Sequence, residues 1–380
     1  MTEPAHSRLF SPSAAHRWMR CTASPHAALR YDDEPGEAAM EGTAFHWLTE
    51  TCLTEGSDPN TYLGRTLTVT QGQCRREFVV SPNMVTDARL IVDAVREIAL
   101  RPGLSRVEAR VSLAHLDPTM FGRCDIWHFG VDGVLSVFDT KYGRVDHSPV
   151  EHEQMMSYAL AVYRGHVESR GPVSRVDLYI GQPRSLLPGP RIKMWSCDLD
   201  RLLNFELELR VAIHAVHNAP EFRMGPWCEY CPALGECPAS RTEFLNLGPI
   251  LAAADMTTEQ AAKILRHKKM LESKIAAAAA VGKEALLHRQ PVPGFKLVTG
   301  VRHRQYRDAE MAKEALFEAC GLRAFEPVTP SQAEKLGADA AAVVSKLAFT
   351  PPGEPQIAPE DDRRAAYVPR SVEQIFGAPA

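Results

Sequence analysis

The sequence predicts an α+β fold in which a small antiparallel sheet has helices before and after it in the chain. Strand-like runs at residues 106–116, 121–129 and 134–140 follow one another with short connections. The last two meet at Asp132-Gly133, a residue pair that strongly favours a β-hairpin. The order of helix, three-strand meander, helix and strand differs from the regular alternation of a doubly wound α/β sheet.

Helices and two shorter strands are predicted before this meander. Residues 37–55 carry apolar side chains at helical spacing after a turn-rich stretch, so they are expected to form one helix. Strand-like segments near residues 62–70 and 78–80 precede a second helix at residues 82–100.

The segment after the meander starts with a helix signal at residues 148–151, whose sequence is Ser-Pro-Val-Glu. The serine can cap the helix, the proline suits its first position, and the glutamate lies three residues after the cap. A strand at residues 175–180 and a helix at residues 198–216 complete the predicted core.

The composition changes after Cys237. Thr257 and Gln260 form a capping pair for a long, alanine-rich helix that is predicted to reach His288. Enrichment in proline and charge predicts an extended tail at the end of the chain. The predicted regions are a core at residues 1–245, a long helix with a small α/β accessory domain at residues 246–350, and the tail at residues 351–380.

The bulk composition is that of an ordinary soluble protein. The 380 residues are 45% hydrophobic and 24% charged, and the formal net charge is −4. This balance provides no general attraction for nucleic acid, so any such binding must come from local basic patches. No apolar run approaches the roughly 18 residues of a membrane span, and no signal peptide is visible. We therefore expect a cytoplasmic location and no membrane partner.

Asp139-Thr140-Lys141 closes the third strand of the predicted meander. Because successive side chains of a strand alternate between faces, Asp139 and Lys141 project to the same side. Asp125, in the preceding strand, can join them if the register allows. Two carboxylates can hold a divalent cation and a lysine can stabilise negative charge, which is the chemistry of metal-dependent phosphodiester hydrolysis. The alternative is an ordinary ion pair at a strand edge, with Asp125 capping a turn.

Four short motifs occur in order along the predicted core: Glu41-Gly42-Thr43-Ala44-Phe45-His46 on the first long helix, Gly122-x-x-Asp125, Asp139-x-Lys141 and Gln154-x-x-x-Tyr158. This set resembles the PD-(D/E)XK nuclease superfamily, specifically its RecB-like branch, and is similar to phage-type members of that branch. The resemblance covers about residues 8–245. It implies a restriction-endonuclease-like core, followed by a mainly helical C-terminal extension.

By this resemblance, His46, Asp125 and Asp139 would be metal ligands and Lys141 would be the catalytic lysine. Hard carboxylate oxygens suit Mg²⁺ or Mn²⁺, and an imidazole shifts the preference towards Mn²⁺. The sequence leaves open whether one or two ions bind. For His46 considered alone, a satisfied core histidine is the alternative.

Gln154 and Tyr158 lie one turn apart on the helix that follows the meander. They could contact DNA phosphate or position the lysine, so they join Asp125, Asp139 and Lys141 in the predicted catalytic set. The alternative for this pair is a polar helix edge.

Two further acids are weaker candidates for the same site. Glu50 lies one turn beyond His46 on the same predicted helix. Glu108 begins the first strand of the meander. For Glu50, a solvated surface acid is the favoured interpretation.

A second signal is a cluster of three cysteines, Cys228-x-x-Cys231-x-x-x-x-x-Cys237, in a turn-rich segment. Three thiols so close together indicate a metal or cluster site whose fourth ligand comes from elsewhere in the chain. One RecB-like subgroup resembles this layout, with one cysteine before the nuclease core and three after it. That resemblance implies that Cys21 is the fourth ligand of a [4Fe–4S] cluster joining the ends of the core. Structural Zn²⁺ stays an alternative, because spacing alone does not separate the two.

The expected function is that of a metal-dependent DNA nuclease, specifically an exonuclease in phage-type recombination or DNA processing. No phosphate-binding loop of the form G-x-x-x-x-G-K-[ST] occurs, so the chain has no visible NTPase motor, and a recombination or helicase protein is an expected partner. The alternative is a non-catalytic DNA-binding or recombination-accessory protein on a nuclease fold. Whether the nucleic acid is single- or double-stranded, and DNA or RNA, stays open.

Overall fold

A mixed sheet of five strands lies in the first of two compact units into which the chain divides. The units are Met1–Ile275 and Ala276–Ala380. The computed structural model describes residues 7–31, 36–72, 74–253 and 255–296. The predicted tail, and the part of the predicted accessory domain beyond residue 296, lie outside the described residues.

The strands fall into two sheets. In chain order they are β1 (Thr66–Gln71), β2 (Cys74–Val79), β3 (Gly103–Ser112), β4 (Phe121–Gly130), β5 (Val134–Thr140), β6 (Arg175–Gly181) and β7 (Ile192–Cys197). β1 and β2 form an antiparallel pair, and the other five follow the order β3-β4-β5-β6-β7. Within this larger sheet β5 and β6 are parallel, whereas the other neighbours are antiparallel. The predicted α+β class is therefore confirmed.

Helices precede, interrupt and follow the sheet. They are α1 (Ala15–Trp18), α2 (Ser24–Ala28), α3 (Glu37–Glu55), α4 (Pro82–Ala99), α5 (Glu153–Val162), α6 (Leu199–Asn218), α7 (Pro238–Leu251), α8 (Thr258–Arg266) and α9 (Lys268–Leu287). In the second unit the described residues hold the last part of α9 and the turn after it. None of the helices in the described ranges combines the length and the apolar character that a membrane crossing requires.

Both faces of the five-stranded sheet are covered. On one face, side chains of α5 and α6 pack against Trp127, Val137 and Leu178. On the other face, α3, α4 and the β1–β2 pair pack against Ile126 and Phe138. Neighbouring residues of one strand thus contribute to opposite cores, as the alternation of side chains along a strand requires.

The hairpin predicted at Asp132-Gly133 is confirmed. β4 and β5 pair in antiparallel register, with Ile126 opposite Phe138. Gly133 adopts a φ of 78°, a left-handed conformation that costs glycine little. Asp132 Oδ1 accepts a hydrogen bond from the Val134 N–H at 3.1 Å, which fixes the turn.

Helix α5 begins at Glu153, so the start predicted at residues 148–151 is wrong. Tertiary contacts hold this stretch in a loop that overrides its capping pattern. The buried side chain of Gln182 donates to the Gly143 carbonyl at 3.1 Å and accepts from the His147 N–H at 3.0 Å. Glu151 has a φ of 51°, which no α-helix can contain.

The long helix predicted from Thr257 to His288 is interrupted at His267, where α8 ends and α9 begins. The predicted capping box is present, because Thr257 and Gln260 bond each other's backbone reciprocally. His267, however, has a φ of −103° and a ψ of 12°, outside the helical range. Its imidazole donates through Nδ1 to the Lys263 carbonyl at 2.8 Å and approaches Glu243 at 3.3 Å. These contacts stabilise the break.

The sheet leaves no room for a side chain at Gly181. A Cβ at this position would lie 2.5 Å from Cδ1 of Ile91 and 2.7 Å from the ring of Phe138, both of which are buried. Gly181→Ala should therefore lower the free energy of unfolding by about 1–3 kcal/mol through overpacking. Gly143→Ala, with nothing within 4 Å of its added Cβ, is the matched control. Equal stability of the two variants in urea denaturation would contradict this account.

Candidate metal centre and cysteine cavity

Three side chains from three elements converge at the end of the sheet. His46 lies on α3, Glu108 on β3 and Asp125 on β4, and one ligand atom from each lies within 4.8 Å of the others. His46 Nδ1 is 3.4 Å from Asp125 Oδ2 and 3.7 Å from Glu108 Oε1. Two carboxylates and an imidazole form a donor set that suits a divalent cation.

The backbone at Glu108 is unusual. Its φ of 49° lies in the left-handed region, which is uncommon for residues other than glycine and costs of the order of 1–3 kcal/mol. Glu108 lies at the level of Asp125 in the β3–β4 ladder, where the pairing is interrupted. Arg123 Nε donates to the Glu108 carbonyl at 2.9 Å and lies 3.2 Å from Glu108 Oε2. The local strain therefore coincides with the position that brings this carboxylate to the cluster.

Burial and neighbouring charges shift the pKa values of two members of this cluster. Burial by itself would lower the pKa of His46, but the carboxylates of Asp125, Glu108 and Asp139 raise it well above its usual range. Burial raises the pKa of Asp125; His46 acts in the opposite direction, and Asp139 and Glu108 raise it further. Because metal ligands must be deprotonated, a cation that binds here would displace protons from these groups.

Asp139 and Lys141 are held by a single amide. Gln154 Nε2 donates to Asp139 Oδ1 at 2.9 Å, and Lys141 Nζ donates to Gln154 Oε1 at 2.8 Å. The Tyr158 hydroxyl lies 3.5 Å from Gln154 Nε2. Lys141 Nζ also lies 2.9 Å from Asp139 Oδ2, yet that buried oxygen accepts no well-directed hydrogen bond. It therefore keeps a free electron pair for a further ligand.

The predicted ligand set and the observed cluster differ in one member. Sequence reasoning grouped His46 and Asp125 with Asp139, whereas Glu108 occupies the third position of the close group. Asp139 is near enough to raise the pKa of His46. Glu50 lies near enough to this group for the charge of Glu108 to affect it. Burial and that charge raise the pKa of Glu50. The sequence signal for Glu108 was its place at the start of the first strand of the predicted meander, which made it a weak candidate.

Two histidines that were not predicted lie beside Lys141. The ring centroids of His147 and His152 are 6.1 Å apart. Burial, Lys141 and His152 lower the pKa of His147 to about 4. Burial also lowers the pKa of His152, against the attraction of Asp139. Both imidazoles are therefore neutral at pH 7.

The four cysteines predicted as ligands line one small cavity, together with Arg17. They are Cys21, Cys228, Cys231 and Cys237. Within the described ranges, no three of their sulfur atoms lie within 4.8 Å of one another. Zinc–sulfur bonds of about 2.3 Å place thiolates closer together than this around a single ion.

Hydrogen bonds tie the segment around Cys21 to the segment that precedes the other three cysteines. The Ala23 N–H donates to the Glu221 carbonyl at 3.1 Å, and the Glu221 N–H donates to Thr22 Oγ1 at 2.8 Å. The Arg223 N–H lies 3.4 Å from Cys21 Sγ. The two ends of the core therefore pair directly through hydrogen bonds.

Comparison with known proteins gives a family for the whole chain. The family model described as "Protein of unknown function (DUF2800)" matches residues 6–365. The chain belongs to this family. Among solved structures, the DUF2800 chain is similar to the crystal structure of a protein named SSO0001, at 13% identity over 63% of this chain and 88% of that one. The TM-score of 0.26 is too low for this likeness to support an argument about fold or function.

The depressed pKa of His147 predicts acid sensitivity of this DUF2800 protein. A histidine in the unfolded chain titrates near 6.5, so between about pH 6.5 and 4 the unfolded state binds more protons than the folded one. Stability should fall as the pH is lowered through that window. Between about pH 6.5 and pH 4, His147→Gln should lose less stability than the wild type does. Urea unfolding at the two ends of this window measures the loss. The exposed His288→Gln serves as control, and an equal loss in wild type and His147→Gln would refute the assignment.

Proposed function

We propose that this DUF2800 protein is a divalent-metal-dependent nuclease that hydrolyses phosphodiester bonds in DNA. The observation that carries the proposal is the amide of Gln154, which joins Asp139 to Lys141 beside the His46–Glu108–Asp125 group. An ordinary edge-strand ion pair would have no need of a buried glutamine that bonds both partners. The arrangement instead holds a lysine next to a set of acids in a fixed geometry, as catalysis on a phosphate requires.

The order of elements supports a core of the PD-(D/E)XK type, in the RecB-like branch. Helix α3 carries His46, the β3–β5 meander carries the acids and Lys141, and α5 carries Gln154 and Tyr158. Strand β6 then continues the sheet in parallel with β5. This is the sequence of elements that the motif resemblance implies, and it supports the restriction-endonuclease-like description of the core.

The residues present fit a divalent cation. His46, Glu108 and Asp125 would hold the ion, and Asp139 Oδ2 offers an oxygen without a hydrogen bond on the adjacent strand. Bound Mg²⁺ or Mn²⁺ would neutralise charge on a phosphate and lower the pKa of an attacking water. Oxygen ligands favour both ions, and the imidazole shifts the preference towards Mn²⁺.

The chain's own residues supply the remaining chemistry. Lys141 brings a positive charge that stabilises the negative charge developing on the scissile phosphate. Gln154 holds the ammonium group through its carbonyl oxygen and holds Asp139 through its amide nitrogen. Tyr158 is buried, and its hydroxyl lies 3.5 Å from the amide nitrogen of Gln154. The lysine is thus oriented before substrate arrives, which lowers the cost of ordering it in the transition state.

The finer assignment follows the motif resemblance. We infer an exonuclease of phage-type recombination or DNA processing, acting in the cytoplasm with a recombination or helicase protein as partner. The absence of a phosphate-binding loop motif in the sequence supports an external motor. The competing hypothesis is a non-catalytic DNA-binding or recombination-accessory protein. Metal-dependent cleavage by the wild type that is lost when a site residue is substituted would favour the nuclease.

Asp139→Asn and Lys141→Ala should each lower Mn²⁺-dependent DNA hydrolysis by at least roughly 100-fold, because each removes a group that acts on the phosphate or on its metal. Cleavage of end-labelled single- and double-stranded DNA measures the effect. Asp93→Asn, at an exposed position on α4, is the control and should cleave like the wild type. Cleavage by both variants within a few-fold of the control would exclude the proposed site.

The cysteine cavity is proposed to hold a [4Fe–4S] cluster with a structural role. Four thiolates suit either such a cluster or Zn²⁺. The order of the cysteines along the chain, one before the core and three after it, favours the cluster, as the motif resemblance implies. Burial raises the pKa of Cys228 and of Cys231, so metal binding would be needed to keep these thiols ionised.

Protein purified without oxygen should be brown and contain iron and inorganic sulfide. Cys21→Ser should lose this iron and lower the melting temperature, because it removes the ligand that ties the N-terminal segment to the core. Cys74→Ser, whose thiol lies outside the cavity, should keep both. Colourless wild-type protein with stoichiometric zinc would assign the site to the alternative metal.

A further inference from the structure

One arginine connects the segment of Cys21 with the helix that carries Gln154. The guanidinium of Arg20 lies 2.5 Å from Glu153 Oε1 and donates to the His16 carbonyl at 2.8 Å. It also lies over the ring of Trp227, 5.9 Å from the ring centre. In the chain Arg20 is next to Cys21, Trp227 is next to Cys228, and Glu153 is next to Gln154. The Arg20 side chain, itself next to Cys21 in the chain, therefore contacts the residues that precede Cys228 and Gln154.

Glu153 depends on this contact for its position. It is the first residue of α5, and the capping residue before it, His152, makes no side-chain hydrogen bond to the helix. The Glu153 side chain is only 17% exposed, so its charge is largely shielded from water and needs a partner. The Arg20 guanidinium provides that partner and so fixes the first turn of α5. Gln154, the next residue, holds both Asp139 and Lys141.

A second arginine links helix α1 to the cysteine segment. Arg17, on α1, donates through NH1 to the Tyr230 carbonyl at 3.1 Å, between Cys228 and Cys231 in the chain. Arg17 also lines the cysteine cavity. Helix α1 is therefore attached to the cysteine segment through Arg17, and Arg20, two residues beyond the end of α1, contacts α5.

We propose that Arg20 is a positioning residue that couples the cysteine cavity to the catalytic glutamine, through its ion pair with Glu153. When the pair is broken, or when the cysteine end is released, the first turn of α5 loosens and Gln154 no longer holds Lys141. The rest of α5 stays packed in the core through Met155, Met156 and Ala159. The fold therefore survives, while the geometry around Lys141 does not. The part of this inference that concerns catalysis rests on the proposed nuclease function.

Amide hydrogen exchange over residues 153–158, followed by mass spectrometry, tests the coupling without any assay of activity. Arg20→Gln and Glu153→Gln should each increase exchange in this segment by about tenfold, as expected when a local opening becomes easier by roughly 1.4 kcal/mol. Arg20→Lys keeps the charge and should restore most of the protection. Arg8→Gln, which removes an N-terminal arginine bonded to the Leu29 and Tyr31 carbonyls, should leave the segment unchanged.

The link to the cysteine cavity is tested by combining substitutions. Cys21→Ser should increase exchange over the same segment in the wild-type background, but it should add nothing to Arg20→Gln, because residues in one chain of contacts give non-additive effects. Unchanged exchange in both Arg20→Gln and Glu153→Gln would overturn the proposal. A full, additive effect of Cys21→Ser in the Arg20→Gln background would also overturn it. If Arg20→Gln does not fold, hydrogen exchange over residues 153–158 in Glu153→Gln and Arg20→Lys tests the coupling in its place.

Cleavage kinetics separate this inference from the proposed function. With Mn²⁺ and a DNA fragment as substrate, Arg20→Gln should lower kcat by roughly tenfold with KM unchanged, because a small displacement of a catalytic group acts on the transition state. The content of metal at the cysteines should equal that of the wild type. Wild-type protein that does not cleave DNA would refute the nuclease assignment, while the exchange results would still decide the role of Arg20.

Discussion

Asp125 Oδ2 accepts the backbone N–H of Thr140 at 2.7 Å, and both halves of the site depend on this hydrogen bond. Thr140 lies between Asp139 and Lys141 in the chain. The position of its amide therefore determines the positions from which these two side chains project. Asp125 in turn faces His46 from the neighbouring strand. The bond therefore joins the group around His46 to the group around Gln154 where the ladder between β4 and β5 ends. Without it, the two strand ends would have no direct link at the level of the site.

The same bond creates an electrostatic constraint. Asp125 and Asp139 are almost completely buried, at 9% and 2% exposure, and the charge of Asp139 adds to burial in raising the pKa of Asp125. His46 and Lys141 compensate part of this charge, but each is shared between neighbours. A buried acidic pair that is only partly compensated costs stability, and a cation of charge two would remove that cost. The arrangement of the site is thus a compromise between folding stability and metal affinity.

Much of the core followed from local sequence patterns, because these patterns agree with the tertiary structure. The helix expected at residues 37–55 has those bounds, and it ends at Gly56 in a left-handed conformation that suits glycine after a helix. The strand at residues 134–140 also has its expected bounds, since every residue in it is buried and the run is apolar. The Asp-Gly turn fixed the hairpin between the second and third strands of the meander.

What sequence reasoning missed depends on contacts between distant residues. The start of α5 was misplaced because Gln182, far along the chain, holds the preceding loop open. Glu108 was undervalued because its proximity to Asp125 follows from strand register and from an uncommon backbone angle. Strand β7 was not predicted, since its half-exposed edge position gives a weak pattern. The association of Cys21 with the later cysteines came from the motif resemblance and from no local signal.

The pairing of the two ends of the core also determines when the molecule can be completed during synthesis. Ala23 and Thr22 bond Glu221, a residue that leaves the ribosome about 200 residues after them. The β3–β5 meander can form before that point, because its strands are close in sequence. The hydrogen bonds of Thr22 and Ala23 must wait until α6 has been made and Glu221 is in reach. Contacts of such long sequence separation form late and slowly, so the joining of the two ends should be the last step in folding of the core.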